Sequence, residues 1–304
     1  SALGSAHRKG HQPENAVNQP AKILLQLDSD PQPSAFDAVV AIDSGVDFLL
    51  RHGSVTPDNV RDLVYGAIFT RGGDDLKHTA IFIGGSNVAD GEKLLSAVEK
   101  TFFGPRVSVM LDANGANTTA AAAVLSTMKH VDVANVTALV LGGTGPVGLR
   151  AARLLAGLGA YVRVASRSRE RAEAACRSLG NHVPVDLLQP VAVSNDGEAL
   201  AALTDVSVVI AAGAAGAQLL SAQARQQASS LKVAIDLNAV PPVGLEGIKP
   251  SDKAVEQQGA ICYGALGVGG LKMKIHKACV RRLFEANDLV LDAEQILEVG
   301  RSLT

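Results

Sequence analysis

The sequence predicts an α/β protein of two units with a cleft between them, and three observations carry that expectation. Apolar runs of strand length alternate with segments of helical periodicity along the chain. The 304 residues are enough for two domains, at roughly 100–200 residues each. A glycine-rich turn, Gly143-Thr144-Gly145-Pro146-Val147-Gly148, joins a strand-like run directly to a helix-like one.

The elements follow in order. KILLQLD (22–28) reads as a buried strand, and Ser34 to Asp37 as a capping box ahead of the periodic run AFDAVVAI. Thr56-Pro57 supplies an N-cap and a first-turn proline ahead of DNVRDLVYGAIF. TAIFIGG (79–85) is a strand, ADGEKLLSAVEKTFF a helix, and RVSVMLD (106–112) a third strand. NGANTTAAAAVLSTMKHV is a helix entered through a polar turn. The pattern then restarts with strand TALVLGG (137–143), helix PVGLRAARLLAGL (146–158), strand YVRVAS (161–166) and helix RERAEAACRSL (169–179). DVSVVIAAG (205–213), KVAIDLN (232–238) and AICYGAL (260–266) are further strands. A long helix, GGLKMKIHKACVRRLFEAN, and a short one, DAEQILEVGRSL, complete the chain. The expected division is 1–20 as an extension, 21–128 as one α/β unit completed by 272–304, and 129–271 as the other.

Composition narrows the classes. With 28 Lys and Arg against 30 Asp and Glu, the net charge is −2, which argues against a general polyanion binder. The three cysteines are far apart and the seven histidines scattered, so neither a disulfide scaffold nor a metal site is expected. There is no apolar run of membrane-spanning length, and the opening segment lacks a signal-peptide core. The expected location is cytoplasmic.

The glycine turn has the spacing of a dinucleotide fingerprint in its required strand–turn–helix context, so the second unit reads as a Rossmann-type domain. Gly143 makes the tight turn, Gly145 lets backbone approach a pyrophosphate, and Gly148 permits close helix–strand packing. Thr144, Pro146 and Val147 complete the loop, with Pro146 suited to the first helical turn. The alternative is an ordinary tight turn in an Ala/Gly-rich chain. The next strand ends at Ser166-Arg167 where an NAD site would carry an acid. An arginine fork binds a 2′-phosphate, which selects NADP, with Ser166 and Arg167 as its contacts. Arg167, Arg169 and Arg171 read otherwise as solvated surface arginines. Ala212, Gly213 and Asn238 end later strands and are candidate nicotinamide neighbours. Gly267 to Gly270 reads as a hinge or as close packing on the cofactor. Ordinary turn chemistry accounts equally for each.

Several segments carry a more specific likeness: LDSDPQPSAFD (27–37), GSVTPDNV (53–60), FTRGG (69–73), AIFIGG (80–85), FFGP (102–105), MLDANGANTTAAA (110–122), GGTGPVG (142–148) and GALGVGGLKMKIHKAC (264–279). In these the chain resembles the bacterial NADP-dependent methylene-tetrahydromethanopterin dehydrogenases of methylotrophs, from about residue 22 onward. The resemblance implies an oxidoreductase of one-carbon metabolism that passes a hydride from methylene-tetrahydromethanopterin to NADP+. It also implies a homo-oligomer, trimeric or hexameric, with no nucleic-acid or membrane partner. Related folate dehydrogenase–cyclohydrolases use a Tyr-x-x-x-Lys pair. Tyr65, Tyr161 and Tyr263 each lack Lys four residues on, so no cyclohydrolase activity is expected.

Substrate contacts are expected at strand ends and in the matching motifs. Asp28 and Asp30 close the first strand, with Ser34 after them; they read equally as turn and cap residues. Asn114, Asn117, Thr118 and Thr119 form a polar cluster after the third strand, where Asn117 or Thr118 also reads as a helix cap. Lys272, placed at the start of the long helix, matches the lysine of the family's GGLK motif. The resemblance assigns it the orientation of the pterin rather than proton transfer; a surface lysine is the other reading. Competing functions are a methylene-tetrahydrofolate dehydrogenase, a shikimate-like dehydrogenase, for which no Lys/Asp pair is evident, and a non-catalytic NADPH-sensing protein.

Overall fold

A computed structural model describes residues 19–304; the expected extension lies, up to residue 18, outside the described residues. The first part of the chain forms β1 (Ile23–Asp28), α1 (Ala35–Asp43), β2 (Phe48–His52), α2 (Arg61–Ile68), β3 (Thr79–Gly84), α3 (Val88–Thr101), β4 (Ser108–Leu111) and α4 (Ala116–Met128). Then come β5 (Thr137–Leu141), α5 (Pro146–Gly157), β6 (Tyr161–Ser166), α6 (Arg169–Leu179), β7 (Leu188–Ala192), α7 (Asp196–Ala202), β8 (Val208–Ala211) and α8 (Ala222–Gln227). The last are β9 (Val233–Asp236), β10 (Lys253–Gln257), β11 (Ala260–Tyr263), α9 (Ala265–Arg282), β12 (Val290–Leu291) and α10 (Ala293–Arg301).

The strands make two sheets, ordered β12-β4-β3-β1-β2 and β10-β11-β9-β8-β5-β6-β7. All pairings are parallel except β10 with β11. Among the parallel strands the order reverses between β1 and β3 in the first sheet and between β5 and β8 in the second. Crevices at the carboxyl ends of such reversal points are where open α/β sheets hold ligands.

Of three buried clusters, one serves both sheets. Leu24, Phe82 and Met110 of the first sheet belong to the same buried cluster as Val140, Val164 and Ile210 of the second. The connection is α4, whose run Ala120–Leu125 is wholly inside that cluster. Small alanine side chains let it pack closely against α5, α9 and α10. A polar network reinforces the join. Asn117 Nδ2 donates to the Leu111 carbonyl at 2.7 Å and to Asp292 at 3.0 Å, while its Oδ1 accepts from Arg150 Nε at 3.0 Å. Arg150 also pairs with Glu92, and Arg153 with Asp292 and Glu294.

Several expectations need correction. Thr56 does not cap α2, which starts at Arg61 with Val60 at its N-cap; Thr56-Pro57 lies in a turn closed by Asn59, whose Oδ1 accepts from Thr56 N–H at 2.8 Å. The capping box at Ser34 is half formed: its Oγ accepts from Asp37 N–H, but its own N–H goes to Asp28 rather than to Asp37. The long helix begins at Ala265, not Gly270, so Gly267 to Gly270 are helical and Lys272 sits in the third turn. Lys272 therefore does not stand at a helix start.

Candidate active site

At the first reversal point the turn after β1 is tied to the turn after β3. Asp28 is buried and accepts from Asp30 N–H at 2.9 Å and Ser34 N–H at 3.1 Å. Asp30 accepts from Ser86 N–H at 3.0 Å and Ser86 Oγ at 2.9 Å. These carboxylates and Ser34 shape the loop that starts α1. After β4, Asn114 adopts a left-handed φ of 54° and donates its N–H to the Gly85 carbonyl, which leaves its side chain exposed at the rim. Thr118 is buried, giving Oγ1–H to Asp112 at 2.6 Å and N–H to it at 3.0 Å. Asn117 has both amide hydrogens committed to the network described above, so it acts as a strut of the fold. Thr119 bonds to the Gly115 carbonyl.

Lys272 reaches this rim from α9. Its Nζ lies 4.5 Å from the centroid of the exposed Phe36 ring and would be 3.1 Å from a Cβ on Gly115. Around it are groups that the sequence reading passed over. Burial pushes the Asp37 carboxyl up to about 6. Burial likewise raises Asp112 to about 7, against the hydrogen bonds from Thr118 and the pull of Lys272. His276 is 1% exposed and stacks on Phe82 at 5.5 Å. Burial and the Lys272 charge drive it down to about 3. The ring is therefore neutral near pH 7, and its buried Nδ1 lies 4.0 Å from Asp112 with no hydrogen-bond partner. Asp112 was legible by the rule applied to Asp28, since each ends a strand. Asp37 is hidden by its cap position, and His276 carries no motif that marks it as a site residue.

At the second reversal point the glycines divide by what they meet. Gly142, the residue ahead of the fingerprint, has φ +69°, and a Cβ there would fall 2.7 Å from Gly213. A Cβ on Gly143 would meet Val164 at 2.8 Å, and one on Gly148 the Gly142 carbonyl at 2.4 Å. Gly145 is different: a Cβ would meet nothing closer than 3.4 Å. The fold tolerates a side chain there, so no close contact within the chain requires the bare position. Gly145 is the N-cap of α5, no side chain caps the helix, and Pro146 opens it. The first-turn N–H groups of Val147 and Gly148 thus point out with the positive end of the helix. Those features fit a dinucleotide pyrophosphate. Thr144 is half-buried in the loop.

Ser166 is buried at the end of β6, and Arg167 beside it is exposed. Arg169 pairs with Glu173 at 3.1 Å, and Ser168 caps α6 by accepting from Arg171 N–H. Among these arginines, Arg167 stands at the strand end. Ala212 donates its N–H to the Leu141 carbonyl, which sets Gly213 against Gly142. Asn238 is buried, and its amide clamps its own loop through Pro242 and Val240. Gly267 packs elsewhere: a Cβ on it would lie 1.9 Å from the Asp252 carbonyl, so close helix–turn packing explains this glycine. Among the described residues no group of three His, Cys, Asp or Glu is placed to hold a metal ion.

Residues 35–114 match a family model described as methylene-tetrahydromethanopterin dehydrogenase, N-terminal. The "Bifunctional protein MdtA" of Methylorubrum extorquens is 46% identical over 93% of this chain and 99% of its own length. The chain belongs to the methylene-tetrahydromethanopterin dehydrogenase family. A second relative in that bacterium, named NAD(P)-dependent methylenetetrahydromethanopterin dehydrogenase, is 32% identical over 89% of this chain and 94% of its own. Solved structures extend the likeness in fold alone. The 5-ketofructose reductase of Gluconobacter sp. strain CHM43 aligns at TM-score 0.51 and 13% identity, over 94% of this chain and 99% of that one. Quinate dehydrogenase from Corynebacterium glutamicum, in complex with NAD, aligns at TM-score 0.50 and 15% identity, over 93% and 99%. Within the methylene-tetrahydromethanopterin dehydrogenase family, the matched segment 35–114 runs from the start of α1 to the Asn114 rim, the side of the site that Lys272 faces.

Proposed function

We propose that this chain oxidises methylene-tetrahydromethanopterin with NADP+, giving methenyl-tetrahydromethanopterin and NADPH. One observation carries the reading. Helix α9 leaves the carboxyl end of β11 in the second sheet and delivers Lys272 to the rim of the first, so one element runs from the second sheet to the first sheet's reversal point. In this reading residues 129–271 hold the cofactor, and 21–128 with 272–304 hold the pterin. The N-terminus of α5 holds the pyrophosphate, with Gly145 leaving room for it. Ser166 and the Arg167 fork hold the 2′-phosphate. Gly213 and Ala212 border the nicotinamide, which takes up the hydride.

Lys272 orients the pterin, and Asn114 is the polar group free at the same rim. The two nitrogens flanking the one-carbon bridge stabilise the cation that forms, so the protein needs little acid–base chemistry. Holding donor and acceptor carbons about 3–3.5 Å apart supplies much of the rate. A homo-oligomer in the cytoplasm is part of the same proposal; among the described residues no helix is long and apolar enough to cross a membrane.

The test is spectrophotometric. Protein mixed with NADP+ and methylene-tetrahydromethanopterin should produce NADPH absorbance. Silence with both this substrate and its tetrahydrofolate analogue would leave an NADPH-binding protein without this activity, and faster turnover of the folate would make it the substrate. Arg167→Ala should raise the KM for NADP+ by about tenfold or more, as expected when a charge-assisted fork is lost. The KM for NAD+ should hold, and equal effects on both would contradict the 2′-phosphate assignment.

A further inference from the structure

We infer that Gly269 of α9 is a positioning residue: its missing side chain leaves a bare strip of helix over which the one-carbon bridge approaches the nicotinamide. The inference rests on the dehydrogenase reading above and adds a residue to it.

Glycine inside a helix lowers helix stability, so it calls for a reason. Gly264 and Gly267 have one in the fold, whereas the exposed Gly270 next to Gly269 has none. A Cβ on Gly264 would lie 2.0 Å from the Lys249 carbonyl, and one on Gly267 1.9 Å from the Asp252 carbonyl. Gly269 has none: it is helical, and a Cβ on it would meet nothing within 4 Å. It is nevertheless half-buried, unlike the exposed Gly270 beside it.

Position identifies the space. Ala265, Gly269, Lys272 and His276 follow at intervals of four, three and four, and so share one face of α9. At about 1.5 Å per residue, Gly269 lies some 4.5 Å along the axis before Lys272. On one side of it is the carboxyl end of β11, in the sheet to which the reading above assigns the cofactor. On the other is the Lys272 ammonium over Phe36, with the unpartnered Nδ1 of His276 one turn further along the same face. A bare patch between an ammonium and a dinucleotide-binding edge admits flat rings from both directions. Hydride transfer needs the two carbons in contact, and a displacement of about 1 Å costs on the order of 100-fold in rate. A methyl group at this point is displacement enough.

The full chain carrying Gly269→Ala or Gly269→Val is compared with wild type, with Gly66→Ala as control. Gly66 is also helical, exposed and free of neighbours within 4 Å, on α2. Gly269→Ala should raise the Tm by about 2 °C. It should lower kcat about tenfold, with Gly269→Val lower by about 100-fold. The Kd for NADP+, read by fluorescence without pterin, should stay within twofold. Gly66→Ala should raise the Tm and leave kcat alone. Gly269→Val with wild-type kcat, or a kcat loss that appears only alongside a fall in Tm, overturns the assignment. A wild-type protein that binds NADP+ but turns over no pterin overturns the dehydrogenase reading and this inference with it. Active wild type beside equally active Gly269→Val overturns the inference alone.

Discussion

Asp112 and His276 are buried side by side, and each prefers its neutral form for the same reason: burial penalises charge. Their consequences for stability run in opposite directions. The Asp112 carboxyl titrates higher in the fold than in the unfolded chain. Its contribution is therefore complete below about pH 4 and is lost as pH rises through about 7. His276 titrates lower in the fold, so its contribution is complete above its ordinary value and is lost as pH falls toward about 3. Asp112→Asn removes the first effect while keeping an acceptor for Thr118 N–H. The Tm of this variant relative to wild type should rise between pH 5 and pH 8, by about 4 °C or more. A difference that stays flat across that interval would show that Asp112 ionises without penalty.

Helix α5 shows how one residue type meets two demands within a single element. Gly148 is fixed by the chain itself, since a Cβ there would overlap the Gly142 carbonyl, whereas Gly145 is not. Gly148→Ala should therefore lower stability by about 1–3 kcal/mol through overpacking. Gly145→Ala should unfold at the wild-type temperature yet bind NADP+ at least about tenfold more weakly, as a lost pyrophosphate approach predicts. Thermal melts and cofactor titrations on both variants separate the two, and equal losses of stability would erase the distinction. The same contrast explains what the sequence made legible. β1, β3, β4, β5 and β6 are buried apolar runs between clear turns, and they stand where periodicity places them. β2 and β10 escaped because they are edge strands with mostly exposed residues. β7 carries Pro190, which an edge strand tolerates but which reads as a break. The first turn of α9 was masked by its glycines, whose causes are contacts with residues 249–253 that no local pattern records. For the same reason the fingerprint was readable at Gly143 to Gly148, while the Asp37–Asp112–His276 group, assembled from three distant elements, was not.

At the scale of the whole molecule, the two sheets share a core through α4, and the Asn117–Arg150–Asp292 network crosses the same seam. Neither sheet can lose its packing without exposing apolar surface of the other. Heat should unfold the protein in one transition, with calorimetric and van't Hoff enthalpies equal, although the sequence reads as two units. Two resolved transitions would mean that α4 separates cleanly from one side. The last strand, β12, pairs with β4 at Val290↔Val109 and Leu291↔Met110. That pairing sets an order of events during synthesis on the ribosome. The edge of β4 stays open while the entire seven-stranded sheet is being made, and it closes only once residues 290–301 have emerged. A nascent chain arrested before that point presents an unpaired parallel edge and the uncovered alanine face of α4, the kind of surface that chaperones hold.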